Sequence, residues 1–327
     1  MGKKIRLGII GVGNMGSGHA RNVLGGKCPD FELTAIADIN PARLRWAKEE
    51  LSENPECFSD AIQMLDSGHI DAAMVCVPHY DHAKYAIACM ERGIHVMCEK
   101  PAGVYTLQAR EMNAAADRHP EVVFGMMFNQ RTNCVYRKMR ELVHSGRYGR
   151  IRRVNWLITN WYRPQAYYDS GAWRATWSGE GGGVLLNQCP HQLDLLQWIC
   201  GLPVRVESHM KFGQWHDVEV EDDVTTYLEY ENGATGVFIT TTGDAHGTNR
   251  FEIQMDGAKL VADGREGING LMLSNAMHLS QFLGKMVELP FDEQLYYDEL
   301  MKRVAVSRRK VGESVFADTR GSYSGTK

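Results

Sequence analysis

The stretch Ile5-Arg6-Leu7-Gly8-Ile9-Ile10-Gly11-Val12-Gly13-Asn14-Met15-Gly16 decides the fold. Its first six residues read as a buried strand, and Gly11-x-Gly13-x-x-Gly16 then turns the chain into a helix beginning near Asn14. The three glycines have three tasks: Gly11 permits the tight turn, Gly13 lets backbone N–H groups approach a pyrophosphate, and Gly16 lets helix and strand pack closely. A second strand, Phe31-Glu32-Leu33-Thr34-Ala35-Ile36-Ala37, ends in Asp38, 22 residues beyond Gly16. That carboxylate is placed to accept hydrogen bonds from an adenosine ribose diol, and its charge would repel a 2′-phosphate. NAD is therefore expected rather than NADP, bordered by Gly11, Gly13, Asn14, Met15, Gly16 and Asp38. A glycine turn in a nucleotide-free α/β domain is the alternative, disfavoured by the strand before the motif and the helix after it.

Outward from this motif, residues 1–125 alternate strand and helix as one Rossmann domain. Asn40-Pro41 starts a helix through Leu51, with Asn40 as N-cap and Pro41 at the first helical position. Ala72-Ala73-Met74-Val75-Cys76-Val77 is a continuous apolar run ending at Pro78, as a strand buried on both faces should be. A helix from about Asp81 to Arg92 stops at Gly93, and Ile94–Cys98 is the next strand. Such a rhythm makes a doubly wound parallel sheet, whose ligands sit beyond the carboxyl ends of the strands. Pro78-His79-Tyr80-Asp81-His82 follows one of those ends and Glu99-Lys100-Pro101 the next. A lysine there can be partly desolvated and so hold or donate a proton near a reacting hydroxyl. The residues alone favour a solvated loop lysine.

The pattern changes after Gly125, and residues 126–327 are expected to form an α+β domain. A helix around Tyr136–His144 precedes segments of strand character at Ile151–Thr159, Val204–Lys211, Asp223–Glu229, Thr235–Thr241 and Arg250–Met255. Asn232-Gly233 and Asp256-Gly257 sit between alternating segments, the pattern of tight hairpins. The sheet should be mostly antiparallel, with one face covered and one open; Val224, Tyr227, Val237 and Ile239 suggest a homo-oligomer formed through the open face. Gly181-Gly182-Gly183 leads into an expected helix over 184–198, in which Asn187, His191 and Asp194 would share a face and Pro190 would disturb the helix. Taken alone, His191 would more often be a satisfied core or interface histidine. The aromatic run Trp161-Tyr162-Arg163-Pro164-Gln165-Ala166-Tyr167-Tyr168, with Trp173-Arg174 beyond, fits either a sugar-stacking wall or a subunit contact.

Composition sets outer limits. The chain has 327 residues and a net charge of −4, from 36 basic and 40 acidic residues without long runs, so neither a nucleic-acid nor a membrane surface is expected. Eight scattered cysteines show neither a Cys-x-x-Cys pair nor zinc spacing; no metal site is expected, and reduced thiols suit a cytoplasmic protein. The amino terminus enters the first strand almost directly, and no apolar run approaches the ~20 residues that would span a bilayer.

Taken together, Gly11-x-Gly13-x-x-Gly16, Asp38, Pro78 to His82, Glu99-Lys100-Pro101 and Gly181-Gly182-Gly183 followed by Asn187 and His191 resemble the glucose–fructose oxidoreductase/inositol dehydrogenase/rhizopine-catabolism family, Gfo/Idh/MocA. The resemblance spans roughly residues 5 to 290. It implies a Rossmann domain plus an open-faced sheet domain, with the nicotinamide between them and sugars or polyols as substrates. Carried over, it sets Lys100 against the substrate hydroxyl, His191 beside it as general base, and Asn187 as an orienting group. It adds Pro78, His79, His82, Glu99 and Lys100 to the cofactor side and Asn129 and Arg131 to the substrate side, which Tyr162, Tyr168 and Trp173 of the aromatic run would join if that run is a stacking wall. Many relatives have Asp where this chain has Asn187, and the Asn form resembles members that oxidise pyranosides at C3. The implied function is an NAD-dependent dehydrogenase of a secondary hydroxyl. A glycoside-cleaving enzyme using transient C3 oxidation, with Tyr168 or His79 as extra base, is the alternative. A non-catalytic NAD and sugar sensor is a third, against which Lys100 and His191 argue. The chain departs from the family pattern where Lys259-Leu260-Val261 passes through Ala262-Asp263-Gly264-Arg265-Glu266 to a helix at Gly267–Phe282, which reads as a short variant or an absent segment. The tail from Ser307 is polar and reads as loose, or as an arm to a neighbouring subunit.

Overall fold

The structure, a computed structural model, describes residues 3–52, 54–263, 267–288 and 291–306. Its first part runs β1 (Ile5–Ile10), α1 (Asn14–Leu24), β2 (Phe31–Ala37), α2 (Pro41–Glu50), β3 (Glu56–Phe58), α3 (Ala61–Asp66), β4 (Ala72–Val75), α4 (His82–Met90), β5 (His95–Cys98), α5 (Thr106–Arg118) and β6 (Phe124–Met126). All six strands are parallel in the order β3-β2-β1-β4-β5-β6. The apolar runs are explained by cover on both faces. Ile9, Ile36 and Val12 pack with Ala20 of α1 and Ala47 of α2 on one side. Ile10, Val75 and Val96 pack with Met64, Met90 and Met112 of α3, α4 and α5 on the other.

The glycine turn is sterically specified. Gly11 has φ +87°, and a Cβ there would lie 2.7 Å from the Cys76 carbonyl oxygen. A Cβ on Gly16 would lie 1.9 Å from the Gly11 carbonyl oxygen, whereas one on Gly13 would meet nothing within 4 Å. Gly11 and Gly16 are thus required by the chain's own packing, and Gly13 keeps a surface open to a ligand.

The second sheet follows α6 (Cys134–His144): β7 (Ile151–Ile158), α7 (Gln165–Asp169), α8 (Pro190–Cys200), β8 (Arg205–Phe212), β9 (Glu221–Glu229), β10 (Thr235–Thr241), β11 (Asn249–Met255) and β12 (Lys259–Asp263). Its order is β12-β11-β7-β10-β9-β8, antiparallel at β8/β9, β9/β10 and β11/β7 but parallel between β10 and β7. Trp156 anchors the covered face, stacked on Phe251 with ring centroids 4.1 Å apart and set edge-on to Phe238 and tilted against Tyr136 of α6. Asn232-Gly233 makes the β9–β10 hairpin, Gly233 at φ +81° and the Asn232 Oδ1 accepting from the Ala234 N–H at 3.0 Å.

Two expectations need correction. Val224 is fully buried and pairs with Thr240, so it belongs to the covered face; Tyr227, 41% exposed, faces the other way and pairs with Val237. Side chains alternate along a strand, so residues three apart cannot share a face. Pro190 is the first residue of α8 and does not interrupt a longer helix, a position that suits its missing N–H. Asn187 therefore lies in the turns before the helix, and only His191 and Asp194 share it. The triglycine segment is a close approach: a Cβ on Gly183 would lie 2.0 Å from the Glu221 carbonyl oxygen.

The described residues beyond Leu260 form a separate compact unit, carrying α9 (Gly267–Leu283) and α10 (Glu293–Val306). Phe282 and Tyr296 stack there with centroids 6.2 Å apart, and Arg303 covers the Phe282 ring. Gly264, Arg265 and Glu266 of the short connection, and the tail from Ser307, lie outside the described residues. Among the described residues no helix is long and apolar enough to cross a membrane.

Two glycines of α1 should respond oppositely to alanine. Gly16→Ala is expected to lose about 1–3 kcal/mol through overpacking. Gly18→Ala, where a Cβ meets nothing within 4 Å, should be neutral or gain up to about 1 kcal/mol. Urea unfolding reads both, and equal stability of the two variants would contradict the packing described.

Candidate active site

At one end of the site the glycine turn meets the end of β2. Asp38 Oδ2 accepts from the Val12 N–H at 2.8 Å and Oδ1 from the Asn40 N–H at 2.8 Å. The carboxylate is thereby fixed beside the motif that starts α1. Asn14 Oδ1 is buried and has no partner in the protein. An open glycine surface, a helix N-terminus, an unsatisfied acceptor and a fixed carboxylate together fit a dinucleotide, with Gly13 and α1 toward its phosphates and Asp38 toward a ribose. Met15, 48% exposed, lies on the open side of the same turn.

The ends of β4 and β5 supply the next layer. Pro78 leads into a single 3-10 turn, His79–Asp81. His79 is buried with Nδ1 2.9 Å from the Glu180 carbonyl oxygen, and burial pulls its pKa down to about 3, so the ring is neutral. The His82 ring spans two carbonyl oxygens, Pro101 at 2.6 Å from Nδ1 and Val77 at 2.8 Å from Nε2, and so ties the loop after β4 to the loop after β5. Glu99 is buried at the end of β5, accepting from His19 Nε2 at 2.7 Å. Burial alone would raise its pKa, but the His19 hydrogen bond and charge, with the Lys100 charge, hold it below the usual value.

Lys100 leaves the same strand end and donates from Nζ to the Asn187 carbonyl oxygen at 2.8 Å. Burial lowers its pKa, opposed by Glu99 and Glu180 and reinforced by Arg174 and Arg163. His191 stands in the first turn of α8, its ring edge-on to Phe128, and its Nδ1 is buried without a partner. Burial, aided by the Lys100 charge, pulls its pKa down to about 4. At neutral pH it is therefore an uncharged imidazole.

Asn187 uses both amide hydrogens inside the protein. Nδ2 contacts Glu180 Oε1 and the Tyr167 hydroxyl, the latter at 3.2 Å. Arg174 Nη1 also donates to the Tyr167 hydroxyl, at 2.8 Å, with its guanidinium over the Tyr167 and Trp173 rings. Glu180 and His19 lie outside the residues that the sequence marks, while Tyr167 and Arg174 fall within the aromatic run without being set apart from it. An acid beside three glycines and a tyrosine next to the one chosen were the signals available.

The other expected site residues are placed differently. Trp173 is edge-on to His79, with centroids 5.7 Å apart. Tyr168 is buried against Ala175 and Val220 and its hydroxyl donates to Thr242 Oγ1 at 2.9 Å, so Tyr167, not Tyr168, reaches Asn187. Arg131 donates from Nε to Asp194 Oδ2 at 2.7 Å and lies between the Phe128 and Trp198 rings. Asn129 and Tyr162 are exposed. The described residues include no group of three His, Cys, Asp or Glu able to hold a metal ion.

Two family models match, an "oxidoreductase family, NAD-binding Rossmann fold" over residues 5–126 and a "GFO/IDH/MocA C-terminal domain" over residues 136–261. Among curated relatives, the myo-inositol 2-dehydrogenase of Thermotoga maritima is 26% identical over 267 residues, covering 79% of this chain and 75% of its own. The scyllo-inositol 2-dehydrogenase (NAD(+)) of Bacillus subtilis is 24% identical over 72% of this chain and 67% of its own. The crystal structure of the WlbA dehydrogenase from Bordetella pertussis, in complex with NADH and UDP-GlcNAcA, superposes with a TM-score of 0.72 at 26% identity, over 89% of this chain and all of that one.

Removing the Asp38 charge beside the glycine turn should alter cofactor choice. Asp38→Ser is expected to move the ratio of NADPH to NADH dissociation constants toward NADPH by about tenfold, roughly 1.4 kcal/mol. Nicotinamide fluorescence titration reads it, and an unchanged ratio would remove Asp38 from that role.

Proposed function

The chain belongs to the GFO/IDH/MocA oxidoreductases and carries their NAD-binding Rossmann domain, and on that premise we propose that it oxidises a secondary hydroxyl of a sugar, glycoside or polyol. One observation carries the reading. A partly buried lysine ammonium is fixed on the Asn187 carbonyl while a neutral histidine with an unpartnered ring nitrogen lies within reach of its charge. Lys100 retains N–H donors to polarise the substrate oxygen, and His191 accepts the hydroxyl proton as the carbon–hydrogen bond breaks. NAD, when bound, takes the hydride; the alcohol carbon becomes a carbonyl, and the proton remains on His191 until released to solvent. Asn187 cannot take a proton, so its part is to orient.

A ring substrate is supported by relatives named for inositols and by the structural neighbour solved with NADH and UDP-GlcNAcA. Carbon 3 of a pyranoside is the position favoured, from Asn187 in place of aspartate. The half-buried Val237 and Ile239 beside the exposed Tyr227 on the open sheet face support self-association through that face. Eight free cysteines fit a reducing compartment such as the cytoplasm.

Purified protein incubated with NAD and a panel of monosaccharides, alkyl and aryl glucosides and inositols should form NADH and a keto product in equal amounts. Release of an aglycone without net NADH would instead favour transient oxidation. His191→Ala should lower kcat by about a hundredfold or more with NADH affinity retained; unchanged kcat would remove the residue from the base role.

A further inference from the structure

Glu180 is a buried carboxyl, 1% exposed, with a full set of local contacts and no assigned task. Its Oε2 accepts from the Ala175 N–H at 2.7 Å, and Arg174 Nη1 lies 3.7 Å from Oε1. The loop is wound to present it. Ala175 adopts φ 52°, Glu180 donates its own N–H to the Thr176 carbonyl at 2.9 Å, and Gly181 turns away at φ +79°. Its carbonyl oxygen receives His79 from the cofactor side, and its Oε1 faces the Asn187 amide on the substrate side.

We propose that Glu180 is the positioning residue of this site: its carboxylate fixes the Asn187 amide so that Oδ1 is offered to substrate as an acceptor and the Tyr167 O–H as a donor. The inference rests on the dehydrogenase reading above. An ionised carboxylate only accepts, so the atom of Asn187 facing it must be Nδ2. The second Nδ2 hydrogen goes to the Tyr167 oxygen, which also accepts from Arg174. A hydroxyl has two lone pairs and one hydrogen. With both lone pairs engaged, the Tyr167 hydrogen must be donated elsewhere. The recognised chemistry is a pair of hydroxyls, one donating to Asn187 and its neighbour accepting from Tyr167, beside the hydroxyl held at Lys100.

The device is pH-dependent. The charged and titratable groups facing Glu180 are Arg174, Lys100, Glu221 and, through its carbonyl, His79, with Tyr167 across the shared amide. Burial raises the Glu180 carboxyl from 4.5 to about 7, with Glu221 adding to the rise, while the Ala175 N–H, Arg174 and Lys100 oppose it. A protonated Glu180 carries its own O–H and would as readily donate to Asn187 Oδ1, releasing the amide to flip. The native state therefore holds this proton longer than the unfolded chain. Its contribution to stability declines as pH rises from 4.5 to about 7 and is level above.

The test is a cycle of Glu180→Gln, Asn187→Asp and the double variant. Glu180→Gln should keep NADH affinity within about twofold while lowering kcat about tenfold, as loss of one charge-assisted hydrogen bond allows. It should also abolish the acid limb of the wild-type kcat profile near pH 7. Asn187→Asp sets a second carboxylate against Glu180, so its melting temperature at pH 8 should fall by several degrees and recover on acidification. Adding Glu180→Gln to it should restore stability although the same change impairs the parent, a reversal that independent sites do not show. The proposal is overturned if Glu180→Gln keeps the wild-type kcat and acid limb, or if the double variant melts no higher than Asn187→Asp. Should the wild type oxidise no sugar, the dehydrogenase reading fails, while the melting cycle still decides the Glu180–Asn187 contact.

Discussion

An ammonium group held against a main-chain carbonyl, Lys100 Nζ on Asn187 O at 2.8 Å, is the contact on which the site depends. It joins the end of strand β5 to the loop that precedes α8, two segments 87 residues apart. A lysine drawn out of water loses hydration, and it can remain there only if donors and charges around it are matched. Glu99 and Glu180 supply the opposing charge, and the direction of the Lys100 shift shows that burial still outweighs them. The close fit of the loop is what makes the contact reachable. A side chain on Gly181 would strike Val104 at 2.2 Å, and one on Gly183 would strike the backbone of β9 at 2.0 Å.

From that contact the polar groups extend in two directions. Toward the cofactor motif run Glu99 and His19, which leads back to α1. Toward the aromatic loop run Asn187, Glu180, Tyr167 and Arg174, each partner fixing the donor or acceptor face of the next. His191 stands apart from both lines, with a ring nitrogen uncommitted. On the proposed function, the linked groups hold position and His191 exchanges the proton.

The parts of this arrangement written locally were legible in the sequence. The glycine motif, the apolar runs of β1, β2 and β4 and the Asn232-Gly233 hairpin each follow from steric rules acting over a few residues. Lys100 and His191 were legible through resemblance, since neither type betrays its burial. The misreadings have physical sources. An apolar run from Val184 onward imitates helical periodicity, while Gly183 packed on Glu221 imposes turns that begin the helix only at Pro190. Tyr167 and Tyr168 are adjacent and chemically alike. Only the tertiary packing of Tyr168 against Val220, with its hydroxyl on Thr242, decides which reaches the site. Glu180 looks like any acidic loop residue until Ala175 and Asn187 are seen to converge on it.

On the proposed function, hydride passes from a carbinol carbon to NAD beside Lys100 and His191. That transfer is tested most directly by incubating the protein with NAD and an alkyl glucoside deuterated at carbon 3, then analysing the nicotinamide by mass spectrometry. Reduced cofactor carrying one deuterium and a 3-keto glycoside that has lost it are the expected products. Reduced cofactor without deuterium would contradict the site of oxidation, and deuterium released to water with the cofactor unreduced would contradict hydride transfer itself.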